Sequence, residues 1–218
     1  MSDTLLEVND LALFRGQRCL FAGLNFTLSA GQVLQLVGDN GTGKTSLLRA
    51  LCTLLPIETG AINWRGEALP GNRDAYLAEL CYAGHADSIK LDLSPAENLD
   101  FYASLASGPV HSTAAALEQV ALVAQRDLPC RLLSSGQRRR VSLARLLVSD
   151  ATLWLLDEPL TALDVSGRTL VASLIAAHAK AGGAIIFTTH QPLELHGVSI
   201  DALDLNQLQT PNAVPDYS

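Results

Sequence analysis

Residues 38 to 45 read Gly-Asp-Asn-Gly-Thr-Gly-Lys-Thr, and the frame Gly38…Gly43-Lys44-Thr45 fits G-x-x-x-x-G-K-[ST]. Before this loop, Val33-Leu34-Gln35-Leu36-Val37 is an apolar run of strand length. After it, Leu47, Leu48, Leu51, Leu54 and Leu55 recur at helical spacing. A strand that feeds a glycine loop that opens a helix restricts the chain to an α/β fold built around a phosphate-binding loop. Glycines let the backbone approach an anion and turn its N–H groups inward. The helix start adds orphan donors and the positive end of the helix dipole. Gly38, Asp39, Asn40, Gly41, Thr42, Gly43 and Ser46 therefore form the candidate cradle. Lys44 is placed to reach the outer phosphates of a nucleotide, and Thr45 to hold Mg²⁺.

A second site follows from the run Leu153-Trp154-Leu155-Leu156, which ends in Asp157 and Glu158. Ligands sit at the carboxyl ends of strands in parallel sheets. Asp157 is thus expected to bind the Mg²⁺ of a nucleotide held by Lys44 and Thr45, and Glu158 to orient or deprotonate an attacking water. Between the two sites, Leu133-Ser134-Ser135-Gly136-Gln137 opens a helix. Ser134 and Ser135 are good caps, and anion binding is the preferred reading of their free hydroxyls. Arg138, Arg139 and Arg140 crowd the first turns, where cations oppose the dipole unless an anion docks there. Arg138 and Arg139 are expected on a solvated face.

The remaining pattern fills in the fold. Leu11-Ala12-Leu13-Phe14 and Leu24 to Leu28 read as short strands joined through a turn at Arg15-Gly16-Gln17. Ala61 to Trp64 and Leu80 to Ala83 read as two more. Ser94-Pro95-Ala96-Glu97 is a capped helix start, and residues 112–124 and 136–148 are expected to be helical. Strands return at Leu153–Leu156 and Ala184–Phe187, with a helix over 165–181 between them ended by Gly182-Gly183. Strand, helix, strand predicts a parallel core, with the helical third inserted into it. The formal net charge of −7 gives no basic footprint for nucleic acid. The acidic, polar N-terminus is not expected to be a signal peptide. No apolar run approaches the ~20 residues of a spanning helix, so membrane contact is expected only through partners. Cys19, Cys52, Cys81 and Cys130 are scattered, which suits buried reduced thiols rather than a zinc site.

The ordered motifs resemble those of an ATP-binding cassette (ABC) ATPase across nearly the whole chain. Gly38–Thr45 resembles the Walker A loop, Leu133–Gln137 the family signature, and Leu153–Glu158 Walker B with its catalytic glutamate. Thr161-Ala162-Leu163-Asp164 resembles the D-loop, and His190 the switch histidine. Phe14 falls where the family has an aromatic that stacks on adenine. Two departures stand out: Ser135 replaces the first signature glycine, and His85 stands where the family usually has glutamine. The resemblance implies a P-loop NTPase core of parallel strands with an N-terminal antiparallel β subdomain and an inserted helical subdomain. Residues 1–218 would form one such domain, with the core at approximately 1–85 and 150–205, the helical signature subdomain at approximately 86–149, and a loose tail at 206–218. It implies ATP and Mg²⁺ as ligands, with Lys44, Glu158 and His190 catalytic, Thr45 and Asp157 on the metal, and His85, Ser134, Ser135, Gly136, Gln137 and Asp164 at the nucleotide.

A finer likeness lies in residues 82–90, Tyr-Ala-Gly-His-Ala-Asp-Ser-Ile-Lys, running on to Leu93–Leu99, and in the Thr188–Pro192 turn. These resemble the ATPase subunits of bacterial haem exporters in cytochrome c maturation. That likeness implies transmembrane partner subunits and a second copy of the chain in a head-to-tail dimer. It places the chain on the cytoplasmic face of the inner membrane as a peripheral subunit, with haem handled by the partners. An ATPase of another ABC importer or exporter is the alternative. A soluble ABC protein acting on DNA or ribosomes is a third reading, which the single short cassette and acidic balance disfavour.

Overall fold

The fold is described from a computed structural model covering residues 4–69, 71–84, 88–105 and 111–208. The chain opens with a long hairpin. Strands β1 (Thr4–Arg15) and β2 (Arg18–Ser29) pair antiparallel, with Phe14 opposite Cys19 across the turn. Both strands extend beyond the short runs expected from alternation, because register shifts in the ladder let stretches out of phase still bury Leu5, Leu6, Val8, Leu11 and Leu13. The other edge of β1 takes β4 (Thr59–Trp64), which is followed by the two-residue β5 (Glu67–Ala68). The antiparallel sheet runs β2-β1-β4-β5.

The second sheet is parallel throughout, in the order β6 (Leu80–Ala83), β7 (Leu153–Asp157), β8 (Ala184–Thr188), β3 (Val33–Val37), β9 (Asp201–Asp204). Strands β7 and β8 are buried at every position, as central strands covered on both faces must be. Period-two alternation sorts β7 between two cores. Leu153 and Leu155 join the hairpin residues and helix α1 (Lys44–Leu51), while Trp154 and Leu156 join the helical third and helix α6 (Val165–Lys180). The antiparallel sheet and the helical third therefore cover opposite faces of one parallel sheet. This is the arrangement the resemblance implies: a parallel core with an antiparallel β subdomain and an inserted helical subdomain.

The helices are α2 (Arg73–Ala78), α3 (Pro95–Ala103), α4 (Thr113–Gln119) and α5 (Ser135–Ala144) besides α1 and α6. The predicted capping box of α3 is present, with Ser94 accepting from the Glu97 N–H and Glu97 accepting from the Ser94 N–H. Three expectations need correction, and one strand was not foreseen. The helix over 112–124 stops at Gln119, because Ala121 takes φ +55° and the Leu122 N–H bonds to Leu117 O at 2.9 Å. This is a Schellman ending with alanine in place of the usual glycine, so no glycine announced it. The helix over 136–148 stops at Ala144: beyond it the Leu146 N–H bonds to Leu143 O and the Leu147 N–H to Ala144 O, each at 3.0 Å, so tighter three-residue turns replace the helical pattern. Strand β9 was not anticipated: Asp201 and Ala202 are exposed on this edge strand and leave little apolar signal. The expected tail at 206–218 starts too early as well. Leu205–Leu208 forms a 3-10 turn with Leu205 buried, and the Asp39 N–H donates to Asn206 Oδ1 at 3.2 Å. Residues 209–218 lie outside the described residues.

Candidate functional site

The glycine loop carries β3 into α1 as its residue types require. Gly43 is the N-cap of α1 at φ +106°, and a Cβ there would stand 3.0 Å from Phe21 Cε1. Only glycine fits this packing of the loop against β2. Lys44 folds back over the loop, its ammonium donating to Gly38 O at 2.5 Å and Asp39 O at 2.9 Å. Thr42, buried beneath, donates to the same Asp39 carbonyl at 3.0 Å.

The carboxyl ends of β7 and β8 close the other side. Asp157 is 2% exposed; its Oδ1 accepts from Thr188 Oγ1 at 2.8 Å and from Thr45 Oγ1 at 3.2 Å. Its Oδ2 is buried and meets no hydrogen-bond donor among the described residues. An unsatisfied buried carboxylate oxygen costs about 1–3 kcal/mol or more. A hard cation is the group that oxygen donors of this kind, a carboxylate beside a threonine hydroxyl, would hold. Glu158 follows at φ +52°, its N–H donating to Thr188 Oγ1 at 2.9 Å. Its Oε1 lies 3.5 Å from Nε2 of the exposed His190.

A cavity of about 490 Å³ lies between the two sides. Asn40, Gly41, Gly43, Lys44, Thr45 and Ser46 line it from the loop, and Asp157, Glu158 and His190 line it from the strand ends. Gly38, Asp39 and Thr42 form the base of the loop rather than the wall. Phe14 is half-buried on β1 and is not part of the lining; its neighbour Arg15 and Leu20 of β2 are. His85 lies outside the described residues.

The signature residues lie elsewhere. Ser134, Gly136, Gln137 and Asp164 line a separate cavity of about 450 Å³, together with Arg140 and Ala162, and the two cavities have no residue in common. Ser134 is an engaged cap: its Oγ accepts from the Gln137 N–H at 3.2 Å, and Gln137 Oε1 accepts from the Ser134 N–H at 2.9 Å. Its own hydroxyl proton can still be donated. Ser135 is exposed. A Cβ on Gly136 would stand 3.1 Å from Ala162 O, so the signature glycine is what lets α5 pack on the D-loop segment. Asp164 caps α6, accepting from the Gly167 N–H at 2.8 Å and from Arg140 Nη2 at 3.1 Å. The Gly167 N–H, with Ser166 and Arg140, holds the Asp164 carboxyl below the usual carboxylate range.

The model of the family described as ABC transporter matches residues 21–161. This chain belongs to the ABC transporter family. Among its ABC relatives, a Dechloromonas aromatica protein named cytochrome c biogenesis ATP-binding export protein CcmA is 46% identical over 203 residues, covering 92% of this chain and 100% of that protein. The protein of the same name from Nitrosococcus oceani is 50% identical over 190 residues, covering 87% of this chain and 88% of its own. A solved structure of a putative ABC transporter ATP-binding protein from Pyrococcus furiosus superposes with a TM-score of 0.80 at 26% identity, over 94% of this chain and 99% of that one. As a member of this family the chain binds ATP.

Besides the lining residues Arg15, Leu20, Thr161 and Gln191, sequence reasoning missed Thr188 and the role of Arg139. Thr188 holds both Asp157 and Glu158, and its signal was a hydroxyl closing the apolar run Ala184–Phe187. Arg139 was assigned to a solvated face and is instead 2% exposed. It lies on the side of α5 that packs against the strand ends, where its guanidinium meets Gly84 O and Glu158 O.

Proposed function

We propose that this chain is the ATP-hydrolysing subunit of an ABC complex that drives haem export, or release of a haem-loaded chaperone, in c-type cytochrome biogenesis. The observation that carries the reading is the near end-to-end match to proteins named for cytochrome c biogenesis export, 46% identical over the whole of one of them. The site chemistry supports it. The N–H groups at the start of α1 and the Lys44 ammonium would receive the phosphates, the lysine giving up its two loop carbonyls to do so. Thr45 Oγ1 and the unpartnered Oδ2 of Asp157 would hold Mg²⁺, which supplies charge neutralisation for the transferred phosphoryl group. Glu158 would orient and deprotonate the attacking water, and His190 would stand at the γ-phosphate.

One chain keeps its signature cavity apart from its phosphate loop. The working unit in this reading is a head-to-tail dimer, with Ser134–Gly136 of one copy completing the site of the other. Among the described residues no helix is long and apolar enough to cross a membrane. Docking on transmembrane subunits from the cytoplasmic face, where ATP is available, follows in this reading, and haem is left to those partners. The test is Lys44→Ala in cells. The expected outcome is c-type apoproteins that are present but lack haem, with haem-loaded chaperone accumulating. Normal c-type cytochromes in that strain, with no redundant pathway, would remove the haem assignment and leave an ABC transporter ATPase of other substrate.

A further inference from the structure

Arg139 sits in the second turn of α5, the helix whose start carries the signature residues. Its guanidinium spans two strand ends. Nη1 donates to Gly84 O at 2.9 Å, just beyond β6, while Nη2 donates to Glu158 O at 2.8 Å and to Asp157 O at 3.2 Å, at the end of β7. The planar fork suits this span, because β6 and β7 are parallel neighbours whose last carbonyls emerge side by side. Glu158 is the residue that needs holding. It occupies the left-handed region at φ +52° without being glycine. Such a position costs about 1–3 kcal/mol and persists only where the surroundings over-determine it. Here both main-chain polar groups are tied, the N–H donating to Thr188 Oγ1 and the carbonyl accepting from Arg139 at 2.8 Å and, more weakly, from the Thr161 N–H at 3.2 Å.

We propose that Arg139 is a positioning residue for hydrolysis: it clamps the strained main chain of Glu158 and links that clamp to the signature helix and to Gly84, the root of the segment bearing His85. A shift of α5 is therefore transmitted to the carboxylate that acts on water. The hydrogen bonds named above fall on the ends of β6 and β7 rather than on the phosphate loop, so the clamp is expected to govern turnover rather than nucleotide binding. The inference rests on Glu158 acting on the attacking water.

Lysine at this position keeps the charge but offers one ammonium where two arms are needed. In the full chain, Arg139→Lys is expected to lower kcat for ATP by ~10- to 100-fold, the scale of a small misplacement of a catalytic group, with KM changed by less than about threefold. A double-mutant cycle separates positioning from general support. In the Glu158→Gln background, Arg139→Lys is expected to cost less than about threefold more, because the group it positions is already disabled. Equal fold-losses in both backgrounds, a wild-type kcat, or loss of the cooperative thermal transition in Arg139→Lys would each overturn the proposal. In those cases wild type still hydrolyses ATP and the reading of the site stands. A wild-type chain whose turnover is unchanged by Glu158→Gln would overturn that reading, and the clamp with it.

Discussion

At the scale of single residues, the site depends on positions where one atom more or less is decisive. Gly43 is one. Its φ of +106° and the 3.0 Å approach of Phe21 Cε1 leave no room for a methyl group. Gly43→Ala is expected to destabilise the fold by about 1–3 kcal/mol through backbone strain and displacement of the Phe21 ring. It should also weaken ATP binding, since Gly43 directly precedes Lys44; thermal unfolding and an ATP titration on the same protein check both. Thr188 is another. Its single hydroxyl donates to Asp157 Oδ1 and accepts from the Glu158 N–H, so one side chain sets the orientation of the candidate metal ligand and the backbone of the candidate base.

Between elements, the contact of α6 with β7 carries a pH dependence. His178, in the last turn of α6, lies flat on Trp154, with ring centroids 3.8 Å apart and 6° between planes. Its Nε2 is 3.1 Å from Thr152 O, and since a carbonyl only accepts, that nitrogen carries the proton. Burial lowers the His178 pKa from 6.5 to about 4, the bond to Thr152 working in the opposite direction. Between those two values the unfolded chain binds a proton that the folded chain refuses. The stability His178 contributes is therefore complete above pH 6.5 and is lost progressively as pH falls towards 4. Urea unfolding midpoints should drop more steeply from pH 7 to pH 5 in wild type than in His178→Gln, which has no group to protonate here. Parallel slopes would show that the folded chain takes up the His178 proton as readily as the unfolded one, and that burial does not exclude it.

For the molecule as a whole, the phosphate loop and the signature residues line separate cavities. If ATP is sandwiched between two copies, nucleotide favours the dimer by its differential affinity for that state. Glu158→Gln, which is expected to bind ATP without hydrolysing it, should shift towards dimer with ATP and Mg²⁺ in light scattering after size exclusion. A mass that stays monomeric at saturating ATP would mean that the membrane subunits, rather than nucleotide, bring the cassettes together.

Much of this protein was legible in the chain itself. The loop Gly38–Thr45 and the acids after Leu153–Leu156 were readable because strand, turn and cap chemistry is local: glycine where the backbone must turn, apolar runs where strands are buried, Ser94 with Glu97 where a helix starts. What was missed either lacked its usual local marker or depends on contacts between residues far apart in sequence. The Schellman ending of α4 had no glycine to mark it, and α5 gives way after Ala144 to turns in which the Leu146 and Leu147 N–H groups bond to Leu143 O and Ala144 O, with no breaker residue to announce them. Strand β9 exists because β3 offers an open edge, which Asp201–Asp204 fills despite weak strand character of its own. Arg139 looked like one more surface cation until α5 docked on the strand ends and brought Gly84 O and Glu158 O within reach of a single guanidinium. Sequence determined which residues could do the chemistry; the packing of α5 against β6 and β7 decided which of them meet, because that choice belongs to the parallel register and not to any local run.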